Sequence, residues 1–580
     1  MIDLGQIITN PEPFVQASRA WIEANAMLLA GCAVGALTVA GAAGFGFGAV
    51  MDRMRARKRL AAGFGGKRQA RAAELLKNPD LKFSGVVLGR IGRKRLTWTG
   101  QEPVLVTGGT RSGKGVGVIR PTMLTYGGPV VAYDGGKGEL FDDTSGWRGR
   151  FSHVINLNFA SPVGARFNFL DEIRPDHAVR DTDNLVTQIP SPGGDGHFEA
   201  AANRYISACI LHVLHGEPDA EKNMRGVVRL IAQGDDGGKR IIARAAHPVA
   251  VDRARGLFGC DPLVEDAKDG AKYRQLIYND ALVRLSVFED PAVADVTGRS
   301  DFRLADIFCP GHTGRPVTLY LTTPASEDAR LKPVVALFLG MLIDAILADR
   351  HLAPDGRKKY PAKLLLVIDE FPSLRLKLIE TAMTKILGYG CTFLLGAQSL
   401  NALKEMPYGP NNQFRDNIRV HVAFAANDAT TQREISQSAG QVPEQRKSVS
   451  RRPWGDGGRT ETESQYDRPV IDPGAVRCLP DHLELVLVTG HPPILARKLR
   501  DYKDRVLKSR MLKPVPMRGA DGTYPDLPHP QRPSAWAGVM TASPAPADPP
   551  AEEPAPAPSP PKPKAPRKRK LITAPEGDDE

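Results

Sequence analysis

The chain has 580 residues, 42% of them apolar and 24% charged, an ordinary globular balance that excludes a wholly disordered chain and a multi-span membrane protein. Lys and Arg exceed Asp and Glu by a net charge of +12, which suits contact with phosphates of nucleic acid or anionic lipid. Cys32, Cys209, Cys260, Cys309, Cys391 and Cys478 form no C-x-x-C pair and lie far apart, which argues against a zinc site or a disulfide scaffold and for a reducing compartment.

Residues 1–23 read as a short periplasmic N-terminus. No charged residue stands from Ala24 to Met51. As a helix that run is about 42 Å long, enough for a hydrocarbon core of about 30 Å. Asp3, Glu12 and Glu23 precede it, and Arg53, Arg55, Arg57, Lys58 and Arg59 follow. The positive-inside rule then leaves the N-terminus outside and the bulk of the chain in the cytoplasm, below a single-pass anchor. Gly31-x-x-x-Gly35 and Gly44-x-x-x-Gly48 are spacings that let helices approach in lipid. Residues 52–79 read as a basic juxtamembrane segment.

Pro103–Thr107 is a short β-rich apolar run, followed by Gly108, Gly109, Thr110, Arg111, Ser112, Gly113, Lys114 and Gly115, and then by the apolar stretch Val116–Leu124. Strand, glycine loop and helix together fit the first seven positions of the phosphate loop G-x-x-x-x-G-K-[ST]. Backbone N–H groups from Gly108 to Val116 would cradle phosphates at a helix N-terminus, and Lys114 would reach the β- and γ-phosphates of ATP. Gly115 replaces the Ser or Thr whose hydroxyl usually holds Mg²⁺.

Val130–Tyr133 reads as a second buried strand, leading into Asp134-Gly135-Gly136-Lys137-Gly138-Glu139. A third, Leu364–Ile368, ends in Asp369 and Glu370. Such a continuous apolar run suits a parallel strand covered on both faces, with ligands at its C-terminal end. Asp369 is assigned to the Mg²⁺ shell and Glu370 to polarising the attacking water. A fourth strand, Cys391–Ala397, delivers Gln398 beside them as a γ-phosphate sensor. Lys114 and Asp369 are 255 positions apart, too far for a compact core. Residues 176–296 account for the excess as an all-α insertion. Phe198, Ala202, Tyr205, Cys209 and Val213 form a helical apolar stripe there, and Met224, Val227, Val228 and Ile231 continue it. The nucleotide-binding domain then comprises 80–175 and 297–507.

Residues 444–468 are polar, with Trp454-Gly455-Asp456-Gly457-Gly458 in the middle, and read as a mobile loop. Leu483–Val488 and Pro493–Arg497 read as closing strands. From 508 to 580 regular pattern is lost, and 541–570 hold 11 Pro and 7 Ala, so this part reads as a disordered tail. Its basic run is Arg567-Lys568-Arg569-Lys570.

Thr110–Gly117, closed by Pro121-Thr122, resembles the TraG/VirD class of type IV secretion coupling proteins. So do Asp369-Glu370-Phe371-Pro372, Gln398-Ser399-Leu400-Asn401, Tyr408-Gly409-Pro410-Asn411-Asn412 and Phe424-Ala425-Ala426-Asn427-Asp428. Ser300-Asp301-Phe302 and Leu319-Tyr320-Leu321 fit as well, and the resemblance runs from about residue 80 to 505. It implies a RecA-like α/β motor domain with an inserted all-α domain, and ATP and Mg²⁺ as cofactors. It also implies homo-hexamers at the inner membrane, a relaxase–single-stranded DNA complex or protein effectors as cargo, and contact with secretion channel proteins. In that family the phosphate loop commonly ends in Gly. The sequence departs from the family in having one apolar span rather than two. It also has Lys385 and Leu387, rather than an arginine, just before Gly388-Tyr389-Gly390, which leaves Arg299 as the alternative source of a trans-acting arginine. Three functions remain open at this point: an ATP-driven conjugation motor, a receptor that sorts protein effectors, and an FtsK-like duplex translocase, against which the Gln398–Asn401 segment and the single anchor argue.

Overall fold

The computed structural model describes residues 85–540, with 64, 77 and 78 ahead of them, apart from 137, 192–195, 259–267, 309–313, 349–362, 406–407, 452–458, 519–521 and 530–532. The expected membrane span 24–51, most of the flanking segments 1–23 and 52–79, and the tail beyond 540 with its basic run lie outside the described residues. Among the described residues no helix is long and apolar enough to cross a membrane.

The strands are β1 (Lys77–Asn78), β2 (Val86–Ile91), β3 (Lys94–Trp98), β4 (Val104–Thr107), β5 (Val130–Tyr133), β6 (His153–Leu157) and β7 (Val317–Leu321). They continue with β8 (Leu364–Ile368), β9 (Cys391–Ala397), β10 (Val420–Ala423), β11 (Gln441–Arg451), β12 (Arg459–Pro469), β13 (Leu483–Val488) and β14 (Ile494–Arg497). Twelve of them form one sheet in the order β1-β3-β2-β14-β13-β10-β4-β9-β8-β5-β7-β6. From β10 to β6 every pairing is parallel. From β10 outward through β13, β14, β2, β3 and β1 every pairing is antiparallel. Every residue of β4, β5, β7, β8 and β9 is buried, as their unbroken apolar runs require of strands covered on both faces.

Helix α1 (Arg120–Thr125) follows the glycine loop, and α2 (Glu139–Arg148) follows β5. Between β6 and β7 the chain is helical, in α3 (Ala178–Gln188), α4 (Gly196–Gly216), α5 (Met224–Ile231), α6 (Asp235–Arg244), α7 (Pro248–Phe258) and α8 (Lys268–Leu285) with shorter turns. Ala202, Tyr205, Cys209 and Val213 on α4 and Met224, Val227, Val228 and Ile231 on α5 are buried in one apolar core that continues into the sheet domain. Helix α9 (Asp328–Leu347) is buried over most of its length.

Two expectations are corrected. The described flanks of the expected mobile loop 444–468 are strands: β11 and β12 pair antiparallel from Gln441↔Pro469 to Arg451↔Arg459, a two-stranded sheet apart from the main one. At about 3.3 Å per residue each strand is about 36 Å long. A hairpin polar along both faces has no apolar alternation, so period-based reading misses it.

The segment after 508 is irregular as expected, but its described residues to 540 are packed: Asp504 caps a short helix, Arg505–Arg510, and described residues beyond it lie along β6 and the helical domain. Tyr524 Oη accepts from Asn156 N at 2.7 Å. The Asp526 carboxylate meets His153 Nδ1 at 2.7 Å. Trp536, 1% exposed, donates from Nε1 to the Ile173 carbonyl at 2.7 Å. Lys222 Nζ donates to the carbonyls of Trp536 at 2.7 Å and Val539 at 2.6 Å. Single aromatic anchors hold this strap, with no regular period to betray it.

Candidate nucleotide site

The glycine loop leaves β4 at Thr107. Gly108 N donates to Ala397 O at 3.2 Å, tying the loop to the end of β9. The loop turns through Gly113 at φ +95°, a conformation open to glycine and strained for other residues. Arg111 takes φ +59° at its exposed crest, beside Thr110. Lys114 is buried and folds back on the loop, its Nζ donating to Gly108 O at 2.6 Å. The following turn, Gly115–Ile119, is π-helical rather than α-helical and passes into α1. A Cβ at Gly109 or Gly115 would meet nothing within 4 Å, so the loop keeps an open face and Gly115 relieves no crowding.

Strand β8 ends at Ile368, and Asp369 N donates to Tyr133 O at 3.2 Å. The Asp369 side chain is buried against β9, where a Cβ at Gly396 would stand 2.7 Å from its Oδ1. Glu370 turns the chain at φ +65°, a strained left-handed position for a glutamate, and opens the short turn Phe371–Leu374. Burial raises the Glu370 pKa, opposed by the Lys114 charge, and its side chain hydrogen-bonds Gln398. Strand β9 lies between β4 and β8, so Gln398 emerges between the loop and the two carboxylates. Lys114, Asp369, Glu370 and Gln398, which the sequence spreads over 285 positions, therefore meet at the C-terminal ends of three adjacent parallel strands.

Several groups around this site were given no role by the sequence, although Phe424 opens one of the family-like segments. Lys498, just past β14, donates from Nζ to Ser112 O at 2.7 Å. Phe424 N donates to Thr107 O at 2.9 Å, and its ring backs Gly108. His421 on β10 bonds Thr107 Oγ1 through Nε2 at 2.6 Å, and burial pulls its pKa down to about 3. Arg375, exposed and at φ +52°, borders the same cavity of about 850 Å³ as Glu370, Gln398, Arg284 and Lys332. Arg299 is not at this site; it lines a separate cavity of about 250 Å³ with Lys222 and Trp536. Lys385 is exposed at the end of the helix Lys377–Lys385.

Residues 66–521 match the model of the family described as type IV secretory system conjugative DNA transfer. The conjugal transfer protein TraG of Escherichia coli is 30% identical over 456 residues, 73% of this chain and 70% of that protein. The VirD4 protein of Agrobacterium fabrum (strain C58 / ATCC 33970) is 30% identical over 423 residues, 70% of this chain and 60% of that one. Among solved structures, the bacterial conjugative coupling protein TrwB in its ΔN70 form has a TM-score of 0.56 at 18% identity, covering 74% of this chain and 92% of that one. The same fold appears in TrwB in complex with ADP and Mg²⁺, with a TM-score of 0.54 at 17% identity over 74% of this chain and 91% of that one. With a family match across most of its length, the chain belongs to the type IV secretory system conjugative DNA transfer family, as a TraG/VirD4-type coupling protein.

Proposed function

We propose that this coupling protein is anchored in the bacterial inner membrane by residues 24–51, with its bulk in the cytoplasm, and binds ATP and Mg²⁺ as a homo-hexamer. It recruits a relaxase–single-stranded DNA complex, or a protein effector, and passes it to the channel proteins of the type IV secretion system. One observation supports the nucleotide reading most strongly: Lys114, Asp369, Glu370 and Gln398 converge at the ends of β4, β8 and β9. Loop N–H groups and Lys114 hold the phosphates. Glu370, its carboxyl made more basic by burial, orients and deprotonates the attacking water, and Gln398 reports the γ-phosphate.

The donor set also suits Mg²⁺, a cation that takes oxygen ligands. The Ser112 hydroxyl is buried with no hydrogen-bond partner among the described residues, and the Asp369 carboxylate lies at the end of β8, across β9 from the loop. When bound, Mg²⁺ supplies charge neutralisation between the terminal phosphates. TrwB has been solved with a non-hydrolysable ATP analogue and with ADP and Mg²⁺, which supports the same chemistry here.

The test is pull-down of the full chain from membranes, with and without nuclease. A relaxase that co-purifies and is lost with nuclease supports DNA cargo, whereas a nuclease-resistant effector without relaxase supports the sorting receptor. Recovery of a chain lacking residues 1–52 in membranes after high salt would remove the anchor from this proposal.

A further inference from the structure

We propose that Lys498 is a positioning residue of the nucleotide site, whose ammonium sets the peptide planes of the phosphate loop by holding the Ser112 carbonyl. The inference rests on the nucleotide reading above and adds to it a second lysine, brought from beyond the last strand of the sheet.

Lys498 Nζ is buried and donates to Ser112 O at 2.7 Å. It lies 4.0 Å from the centroid of the Phe424 ring. That ring also lies against both ends of the loop: a Cβ on Gly108 would meet Phe424 Cδ2 at 3.1 Å, and one on Gly117 would meet its Cζ at 3.6 Å. Glu484 on β13 is wholly buried, and neither carboxylate oxygen has a hydrogen-bond partner among the described residues. Gly89 on β2, at φ +110°, leaves the space this carboxylate fills, since a Cβ there would collide with Glu484 Oε1. Burying an ammonium is costly without close compensation. A lysine that served only to pair charges would sit on Glu484, or on Asp481, whose Oδ1 is 3.7 Å away. Instead the shortest contact of Lys498 is with a neutral carbonyl of the phosphate loop.

The consequence follows from peptide geometry. In a planar trans peptide the C=O and the next N–H point in opposite directions. Fixing Ser112 O on Lys498 turns the Gly113 N–H away from Lys498, and Gly113 at φ +95° then redirects the chain into Lys114. Lys498 thereby pre-forms the donor array instead of leaving a glycine-rich loop to order itself around the nucleotide, which lowers the entropic cost of binding.

The experiment is an equilibrium titration of the full-length protein in detergent with a fluorescent ATP analogue and Mg²⁺, together with the nucleotide-free Tm. Lys114→Ala serves as control. Lys498→Met is expected to raise Kd about tenfold or more, the worth of one charge-assisted hydrogen bond, at nearly unchanged Tm. Lys498→Arg, which keeps a cationic donor, is expected to recover part of that loss. A folded Lys498→Met protein that binds as wild type does, or loses Tm while keeping its affinity, overturns the tether. If the single variant fails to fold, Lys498→Met with Glu484→Gln replaces both buried ionisable groups together. The same loss of affinity is expected there, and wild-type affinity overturns the proposal. A wild-type protein that binds no better than Lys114→Ala refutes the nucleotide reading itself, and the tether with it. Loss of binding in Lys114→Ala alone leaves that reading standing and removes only the role of Lys498.

Discussion

The indole Nε1 of Trp536 donates a 2.7 Å hydrogen bond to the carbonyl of Ile173, 363 residues earlier in the chain. This contact closes the strap onto the chain just before the helical domain, whose Lys222 holds the carbonyls of Trp536 and Val539. Trp536→Ala removes a large buried ring and leaves the Ile173 carbonyl unpaired, so a loss of about 3–5 kcal/mol is expected. Trp536→Phe keeps most of the packing and costs less. Urea denaturation monitored by far-UV circular dichroism measures both, and equal stability of the Ala variant and wild type would detach the strap from the fold.

Lys114→Ala is expected to abolish conjugative transfer while leaving the protein folded, because the Lys114 contacts at Gly108 and Gly109 are with carbonyls of its own loop. Mating efficiency of a strain carrying only this variant is the readout. Transfer at the wild-type level would sink the motor reading.

Gly115 has room for a side chain, since a Cβ there meets nothing within 4 Å. Were Mg²⁺ bound as proposed, Gly115 would offer it no hydroxyl where a Ser or Thr usually supplies one, and water would have to take that place. Slow basal hydrolysis is therefore expected of the purified protein, with activation in the DNA-loaded hexamer. Gly115→Ser is expected to raise the single-turnover rate by about tenfold, equivalent to about 1.4 kcal/mol of barrier, at unchanged Tm. If the monomeric cytoplasmic part of the wild type already hydrolyses as fast as the loaded hexamer, Gly115 is no throttle.

Two buried groups make stability depend on pH in opposite senses. Burial, aided by Arg415, lowers His421 from 6.5 to about 3, so between these values the unfolded chain binds a proton that the folded one refuses. Stability then falls as pH drops through that window, by up to about 1.4 kcal/mol per pH unit. Burial raises Glu484 from 4.5 to about 8, against the pull of Lys498, so stability falls as pH rises through that window. His421→Asn should flatten the acid limb and Glu484→Gln the alkaline one. Urea midpoints measured from pH 4 to 9 separate the two, and an unchanged profile in either variant removes its residue from the account.

The legible part of this protein lies where a short stretch carries its own instruction. Val104–Thr107 followed by Gly108–Lys114 announces a phosphate loop because strand propensity, glycine spacing and one lysine act within a dozen residues. Leu364–Ile368 announces a strand covered on both faces because no polar residue interrupts it, and Asp369 and Glu370 mark its end. The stripe on α4 is legible for the same reason, one face repeating at helical period. What the tertiary structure alone decided is which of these ends become neighbours. The order β4-β9-β8 puts Gln398 between the loop and the carboxylates, and strand order is set by crossover connections and packing, which leave no trace in local sequence. The grip of Lys498 on Ser112 and of Trp536 on Ile173 depends on single side chains crossing 386 and 363 positions. Such contacts have no period and no local motif. The β11–β12 hairpin is hidden by a related cause: its cross-strand pairing is specific, but its sequence is polar at successive positions and has no apolar alternation to show.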